Sequence, residues 1–164
     1  GIAADKNVAR ISILGVEDRP GILAGVFTAL AEAGVNVDII VQSGVQNGKA
    51  DFSFTVGKQD VETAIRVIEN IRNEVPYDET TSETGLVKVS IVGAGMVSNP
   101  GVAARMFDVI SQQGVNIKMV STSEIKVSCV IDDNKLNEII QSLHTAFGLD
   151  AKERAFVGGP AVRR

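Results

Sequence analysis

Two stretches of the chain repeat each other at a constant spacing of 80 residues. The first reads Pro20-Gly21-Ile22-Leu23-Ala24-Gly25-Val26-Phe27-Thr28-Ala29-Leu30 and continues to Gly34-Val35-Asn36-Val37. The second reads Pro100-Gly101-Val102-Ala103-Ala104-Arg105-Met106-Phe107-Asp108-Val109-Ile110 and continues to Gly114-Val115-Asn116-Ile117. A shared offset without gaps over 18 residues indicates an internal duplication. The 164 residues therefore make two small units rather than one domain.

Both copies predict the same order of elements. Proline at the first position opens each first helix, and Gly34 and Gly114 end these helices. Asn47-Gly48 in copy one is a strong hairpin signal. The apolar and turn patterns predict strands at 8–16, 36–43 and 50–56 and a second helix at 60–73 in copy one, and strands at 86–92, 116–122 and 125–131 and a second helix at 134–147 in copy two.

The order β-α-β-β-α needs one more strand to complete a ferredoxin-like unit. Candidates for that strand are 74–77 in copy one and 153–157 in copy two. Residues 1–6 have no place in copy one and are expected to add a strand to copy two. The predicted fold is α+β, with two ferredoxin-like βαββαβ domains in tandem, at 7–80 and 81–164. Each has an antiparallel sheet with both helices on one face.

Composition removes several classes of function. No apolar run reaches the roughly 18 residues of a membrane helix, and the net charge of −4 argues against nucleic acid and anionic membranes as partners. One cysteine and one histidine, Cys129 and His144, argue against a disulfide framework and against a zinc site. We expect no cofactor and no metal, and a cytoplasmic protein. Because the sequence begins at Gly1, we expect a processed product or a piece of a longer chain.

The loop between the first strand and the first helix of copy one suits a small zwitterion. Helix N-termini present N–H groups that attract a carboxylate, and Gly21 allows a ligand to approach the backbone. Asp18 could hold the ammonium group of the same ligand. The alternative is that Asp18 only caps the helix and Gly21 only packs against a strand.

Polar residues at the following strand are the other candidates for ligand contact. Asn36 and Asn116 open strands, where asparagine is disfavoured unless it makes hydrogen bonds, and turn capping explains them equally well. Asp38 and Gln42 could line a ligand or face water. The cluster Ser121-Thr122-Ser123-Glu124 is typical of a turn, but it could also line a pocket or contact a partner chain.

Catalytic motifs are not visible. Gly93-Ala94-Gly95 resembles the start of a dinucleotide fingerprint, but Ser98 stands where the third glycine belongs. There is no Walker A pattern. His144 has no acid at the spacing of a catalytic triad, and Cys129 lies within a predicted strand.

At these residues the chain resembles a known family. Asp18-Arg19-Pro20-Gly21 and Gly34-Val35-Asn36-Val37-Asp38 are similar to ACT domains, which bind free amino acids. Copy two narrows the resemblance to the C-terminal regulatory region of bacterial aspartokinases. The matching stretches there are 88–96, Pro100-Gly101-Val102, Asn116-Ile117 and 121–128, and residues 1–7 also resemble that family's approach to its first ACT unit.

The resemblance implies a non-catalytic regulatory β subunit, or an excised regulatory domain, of an α2β2 aspartokinase whose catalytic α subunit is the partner. It implies a homodimer when isolated, and feedback inhibition by threonine, lysine or both. Effector contacts carried over by position are Asp18, Gly21, Ile22, Ala24, Asn36, Val37, Asp38 and Gln42 in copy one, and Val102, Ala103, Asn116, Ile117, Ser123 and Glu124 in copy two. Copy two has Ser98-Asn99 in place of Asp18-Arg19, so we expect its pocket to take another ligand or to be filled by dimer contacts.

Two other functions stay open at this point. The small regulatory subunit of acetolactate synthase has a similar length and also begins with an ACT unit, although the second Pro-Gly copy and the 121–124 cluster argue against it. A ferredoxin-like enzyme that uses His144 would show turnover by this chain alone.

Overall fold

Each copy of the repeat folds into its own four-stranded sheet with two helices, as the sequence predicted. The structure is a computed structural model that describes residues 1–93 and 101–148. We call residues 7–84 the first unit, and residues 1–6 together with the chain from Gly85 onward the second unit. The units divide after Thr84, four residues beyond the boundary expected from the repeat.

The first unit is a complete βαββαβ fold. Its elements are β2 (Ala9–Glu17), α1 (Ile22–Glu32), β3 (Ile40–Gln42), β4 (Lys49–Val56), α2 (Val61–Asn70) and β5 (Glu79–Glu83), following β1 (Ile2–Asp5) in the chain. The strand order is β3-β4-β2-β5, and each neighbouring pair is antiparallel. A short 3-10 turn, Lys58–Asp60, leads into α2. The strand β3 therefore forms one edge of this sheet, and β5 forms the other.

The second unit takes its fourth strand from the start of the chain. Its remaining elements are β6 (Leu86–Val92), α3 (Val102–Gln112), β7 (Ile117–Thr122), β8 (Lys126–Asp132) and α4 (Leu136–Ala146), and the strand order is β1-β6-β8-β7. In this sheet β1 runs antiparallel to β6, with Ile2 opposite Ile91. The Gly1 N–H groups and carbonyl extend the ladder to Val92. The edges of this sheet are β1 and β7.

Alternation along the strands and a helical period along the helices build one core in each unit. In the first unit Phe27 of α1 contacts Phe54 of β4 edge to face, with ring centroids 5.3 Å apart. The buried apolar residues of the first unit's core are Ala9, Ile11, Ile13, Val16, Ile22, Val26, Leu30, Val35, Phe52, Phe54, Val56, Ala64, Ile68, Val75 and Tyr77. Those of the second unit's core are Ile2, Val87, Val89, Ile91, Val102, Met106, Val109, Ile110, Val115, Val127, Cys129, Ile131, Ile139 and Leu143.

Turn signals in the sequence were read correctly. Asn47 and Gly48 have φ angles of 54° and 75°, as a type I′ hairpin turn requires. Gly34 and Gly114, with φ angles of 80° and 74°, follow α1 and α3 in the left-handed conformation that ends a helix.

Three of the differences between the predicted and observed elements concern where a strand or helix of the first unit begins. Strand 36–43 is regular only over Ile40–Gln42, and the segment before it meets β4 in a two-to-one arrangement described below. The fourth strand of the first unit is Glu79–Glu83 and not 74–77, where Val75 and Tyr77 are instead buried in the connection between α2 and β5. The first helix begins at Ile22 rather than Pro20, since Gly21 precedes it with a φ of 92°.

The predicted strand at 153–157 and the start of the second copy's helix at Asn99 and Pro100 lie outside the described residues. Over the described ranges, no helix is long and apolar enough to cross a membrane.

Candidate functional site

The loop from Asp18 to Ile22 connects β2 to the start of α1. Asp18, Gly21 and Ala24 are exposed, whereas the Ile22 side chain is buried in the core. A Cβ added at Gly21 would meet no atom within 4 Å, so this glycine does not pack against a strand. Its φ of 92° explains the residue instead, because other side chains rarely adopt that angle.

This loop is held from two sides. The Asp18 N–H donates to the Gly48 carbonyl of the β3–β4 hairpin at 2.9 Å. The Arg19 guanidinium pairs with the Glu17 carboxylate and also donates to the Glu74 carbonyl at 3.0 Å. Within the part of the chain that the structure describes, the Asp18 carboxylate makes no capping hydrogen bond to α1. Asp18 therefore does not cap α1, which was the alternative considered for it.

The electrostatics of the loop suit a ligand with separated opposite charges. The first N–H groups of a helix have no carbonyl partner within the helix, and they carry the positive end of its dipole. The exposed Asp18 carboxylate lies three residues before Gly21, where α1 is about to begin. Together they offer N–H donors to a carboxylate and an anion to an ammonium group, which are the two ends of a free amino acid.

The segment Asn36–Asp38 lies between the end of α1 and β3. Asn36 and Asp38 are exposed, and Val37 packs against the first unit's core. The Asp38 N–H donates to the Thr55 carbonyl at 3.1 Å. Gln42 ends β3, opposite Phe52, and is exposed.

The topology separates these candidates within one unit. Since α1 has 11 residues, it is about 16 Å long at 1.5 Å per residue. Asp18 and Gly21 precede this helix and Asn36 follows it, so the two groups lie at opposite ends of the first unit. Because β3 runs parallel to β2 through their shared neighbour β4, Gln42 returns to the Asp18 end. A single amino acid is too short to span from Asp18 to Asn36.

The second unit repeats this division. Val102 begins α3 and is buried, and Ala103 is partly buried against the core. Asn116 and Ile117 follow α3 at the other end, where Asn116 is exposed. The remaining two candidates, Ser123 and Glu124, are exposed in the β7–β8 turn. The Ser123 N–H closes this turn by donating to the Lys126 carbonyl at 2.8 Å.

Cys129 and His144, the two residues considered for catalysis, both lie within regular elements of the second unit. Cys129 is buried in β8, and burial raises the pKa of its thiol from 9.0 to about 12. A thiol with such a pKa is a poor nucleophile at neutral pH. His144 is half-buried in the last turn of α4.

A cleft in the first unit was not predicted. It has a volume of about 540 Å³ and lies beside Leu14, Gly15, the 43–46 loop, Lys49–Asp51, Asp78 and Glu79. Protein groups already engage its acids: the Gly15 N–H donates to Asp51 Oδ1 at 2.9 Å, and Lys49 Nζ lies 3.2 Å from Asp78 Oδ1. No sequence signal marks this cleft, because its acids come from separate segments of the chain, and none of the predicted effector residues lines it.

Comparison with protein families identifies both units. A model described as ACT domain matches residues 9–73, and a second one with the same description matches residues 89–147. The molecule is thus a pair of ACT domains in tandem, as the resemblance had implied.

Similar proteins define the particular kind of ACT pair. The chain is 42% identical to one in the crystal structure of aspartokinase alpha and beta subunits, with a TM-score of 0.84, and covers 98% of it. The ligand-free regulatory subunit of aspartate kinase from Thermus thermophilus is 37% identical, also with a TM-score of 0.84, over 97% of its length. These matches cover 91% and 90% of the present chain.

The chain belongs to the aspartokinase family and corresponds to its regulatory tandem-ACT region. Aspartokinase of Geobacillus stearothermophilus is 46% identical over 158 residues, which are 96% of this chain and 37% of that protein. Aspartokinase 2 of Bacillus subtilis is 44% identical over 91% of this chain and 36% of that protein. The chain thus spans somewhat more than a third of the curated relatives it matches, and these relatives favour aspartokinase over acetolactate synthase.

Proposed function

We propose that the two ACT units bind end-product amino acids at an interface between ACT units, and thereby transmit feedback inhibition to an aspartate kinase. Threonine is the proposed effector, alone or together with lysine. The observation that carries the proposal is the separation of the candidate contacts by the length of α1. A site that uses both groups needs the Asp18 end of one ACT unit and the Asn36 end of another.

An open sheet edge in the first unit provides a means of bringing these ends together. Strand β3 pairs with β4 only, among the described residues, so its other backbone edge is available to a further strand. If two such edges pair antiparallel about a twofold axis, the Gln42 end of one unit lies beside the Asn36 end of the other. The ligand would then contact Asp18, Gly21 and Gln42 of one unit and Asn36–Asp38 of its neighbour.

Exposed apolar side chains support pairing at this edge. Ile40 is 50% exposed and Val45 is 47% exposed, at and just beyond β3. Their counterparts at an offset of 80 are Val120 on the edge strand β7 and Ile125 in its hairpin, with exposures of 38% and 56%. Large apolar residues at matched exposed positions on edge strands are typical of an interaction surface. We infer that a second copy of this chain covers them in a homodimer.

Regulation follows from linkage between ligand binding and assembly. An amino acid that binds only when two ACT units are paired stabilises the paired arrangement, and that arrangement would bias the catalytic subunit toward its inactive state. The similarity to a solved assembly of aspartokinase alpha and beta subunits supports a catalytic α chain as the partner. Because the matched relatives are aspartokinases, we propose that this complex acts in the cytoplasm.

Thermal melts with each standard amino acid test the effector. Threonine at 100 times its dissociation constant should add about 2.7 kcal/mol of stability. Asp18→Ala should abolish this response because the ammonium partner is lost, while the fold persists because the side chain is exposed. Glu138→Ala removes an equal charge from an exposed position of α4 in the second unit and should leave the response unchanged. An unaltered threonine titration in Asp18→Ala would contradict the assigned site, and a response to valine alone would favour an acetolactate synthase subunit.

Sedimentation with and without threonine tests the interface. Threonine should tighten the dimer of the wild-type chain, and a constant association would count against the proposal. Ile40→Lys and Val120→Lys place a charge at the same repeat position in the two units, where edge lysines oppose strand pairing. The variant that loses the dimer identifies which unit supplies the edge.

A further inference from the structure

Thr55 of β4 makes three hydrogen bonds to the segment that leads into β3. Its carbonyl accepts from the Asp38 N–H at 3.1 Å, and its N–H donates to the Ile39 carbonyl at 3.0 Å. Its hydroxyl accepts from the Ile39 N–H at 3.0 Å. Two consecutive N–H groups of the segment therefore converge on a single residue of the neighbouring strand.

This arrangement is a β-bulge, in which two residues of one strand oppose one residue of its partner. The Thr55 carbonyl receives one of the two N–H groups, and the hydroxyl receives the other. Thr55 is only 1% exposed and Ile39 only 5%, so water has little access to replace the hydroxyl. A buried N–H without an acceptor costs free energy, and the hydroxyl removes that cost.

The bulge lies next to the residues proposed to contact the effector. Bulges re-aim the side chains beside them, and a slip of one residue in a strand turns each side chain to the other face. The directions of Asn36 and Asp38 therefore depend on where the bulge is fixed. The Thr55 hydroxyl ties the bulge to Ile39 by a bond that a slipped register would break.

The second unit has the same irregularity without the hydroxyl. Ile117 pairs with Ile131 and Met119 with Val130, so Lys118 is the extra residue of β7. Lys118 corresponds to Asp38 at the offset of 80. Val130, which is fully buried, occupies the place of Thr55 beside the bulge. The two units thus share the bulge and differ in the side chain that faces it.

We propose that Thr55 is a positioning residue of the effector site in the first unit. Its hydroxyl holds the bulge at Asp38–Ile39 and so sets the directions of Asn36 and Asp38 toward the ligand. This inference rests on the proposed binding of an amino acid by that segment.

The experiment compares hydroxyl-deleting and hydroxyl-retaining variants of the full chain. Thr55→Val keeps the shape of the side chain and removes the acceptor. Thr55→Ala removes the acceptor together with the methyl group, and replaces the valine variant if that variant proves too unstable to assay. Thr55→Ser keeps the acceptor. Ser128→Ala is the matched control, since it removes an equally buried hydroxyl, bonded to Ser90 at 2.7 Å, from the sheet of the second unit.

Two measurements separate positioning from general stability. Threonine titrations followed by thermal melts should show at least a tenfold weaker affinity in Thr55→Val, with affinity near that of the wild type in Thr55→Ser and Ser128→Ala. Amide hydrogen exchange without ligand should be at least tenfold faster at Ile39 in Thr55→Val, and unchanged there in the other two variants.

The outcomes distinguish this inference from the function on which it rests. If the wild-type chain responds to no amino acid, the proposed function fails, while the exchange rate at Ile39 still decides whether the hydroxyl holds the bulge. If the wild type responds and Thr55→Val binds threonine equally well, the positioning role is wrong. Loss of binding in Thr55→Ser would also overturn it, because that variant retains the hydroxyl.

Discussion

In each ACT unit one edge of the sheet is formed by a strand that pairs with the first strand of the copy. The two units take this strand from different parts of the chain. In the first unit β5 follows α2 directly and pairs with β2. In the second unit β1 pairs with β6, although the whole first unit lies between these two strands in the sequence. Both added strands are antiparallel to the strand that begins their copy. The geometry of the sheet, rather than the order of the chain, therefore decides which segment completes the fold.

The two added strands also stabilise their sheets differently. All five residues of β5 are polar, and besides its backbone ladder it offers Glu83, which pairs with Arg10 at 2.7 Å. In contrast, β1 places Ile2 in the second unit's core, where it is 6% exposed. Partly exposed ion pairs contribute little, whereas a buried aliphatic side chain contributes about 1.5–3 kcal/mol. The stability of the second unit should therefore depend more on the buried Ile2 of β1 than that of the first unit depends on the ion pair of β5.

Deletion of residues 1–6 should give the largest effect. It removes the Ile2 side chain, whose truncation to alanine alone would cost about 2–5 kcal/mol, together with the ladder to β6. That loss is comparable to the whole stability of a small domain, about 5–15 kcal/mol. Hydrogen exchange should show the second unit unfolded and the first unit protected. Ala3→Ser, an exposed change in the same strand, is the control, and protected amides in β6 after the deletion would contradict the dependence on β1.

A matched pair of core truncations should sharpen the comparison with a smaller effect. Leu30 of α1 and Ile110 of α3 occupy the same position of the repeat, and both are fully buried. Each change to alanine should cost about 2–5 kcal/mol. If the units unfold separately, Leu30→Ala will speed amide exchange in the first unit only, and Ile110→Ala in the second only. Faster exchange throughout both units in either variant would show that they unfold together.

The sequence was sufficient where local chemistry decides the structure. The 80-residue repeat predicted the α+β class, and glycine conformations at Gly34 and Gly114 ended the helices as expected. It also anticipated the strand that residues 1–6 add to the second unit, but it was insufficient for β5. Glu79–Glu83 has no apolar alternation, so only the neighbouring β2 makes it a strand, while the apolar Val75 and Tyr77 suggested a strand nearby.

The candidate site shows the same limit. Asn36–Asp38 was predicted as a regular strand because Val37 and Ile39 alternate with polar residues, and the bulge against Thr55 is not visible in that pattern. The positions of Asp18 and Gly21 before the helix followed from the Pro-Gly motif. Their separation from Asn36 follows from the length of α1, which the signals at Pro20 and Gly34 had already bounded.

The hairpins that follow β3 and β7 offer the smallest test. In the β3–β4 hairpin, Asn47 and Gly48 both have positive φ angles. Asn47 is the one non-glycine residue with a positive φ among those described, so Glu124 and Ile125 of the β7–β8 turn have negative φ angles. Gly48→Ala should cost about 1–2 kcal/mol, because a Cβ strains the left-handed conformation although no atom lies within 4 Å of it. Glu124→Ala, at an exposed position, should change stability by less than about 0.5 kcal/mol. Urea melts of both variants measure the difference. Equal costs would mean that the two hairpins are held by tertiary contacts rather than by their own turns, and the contrast between the units would then be confined to their added strands and to Thr55.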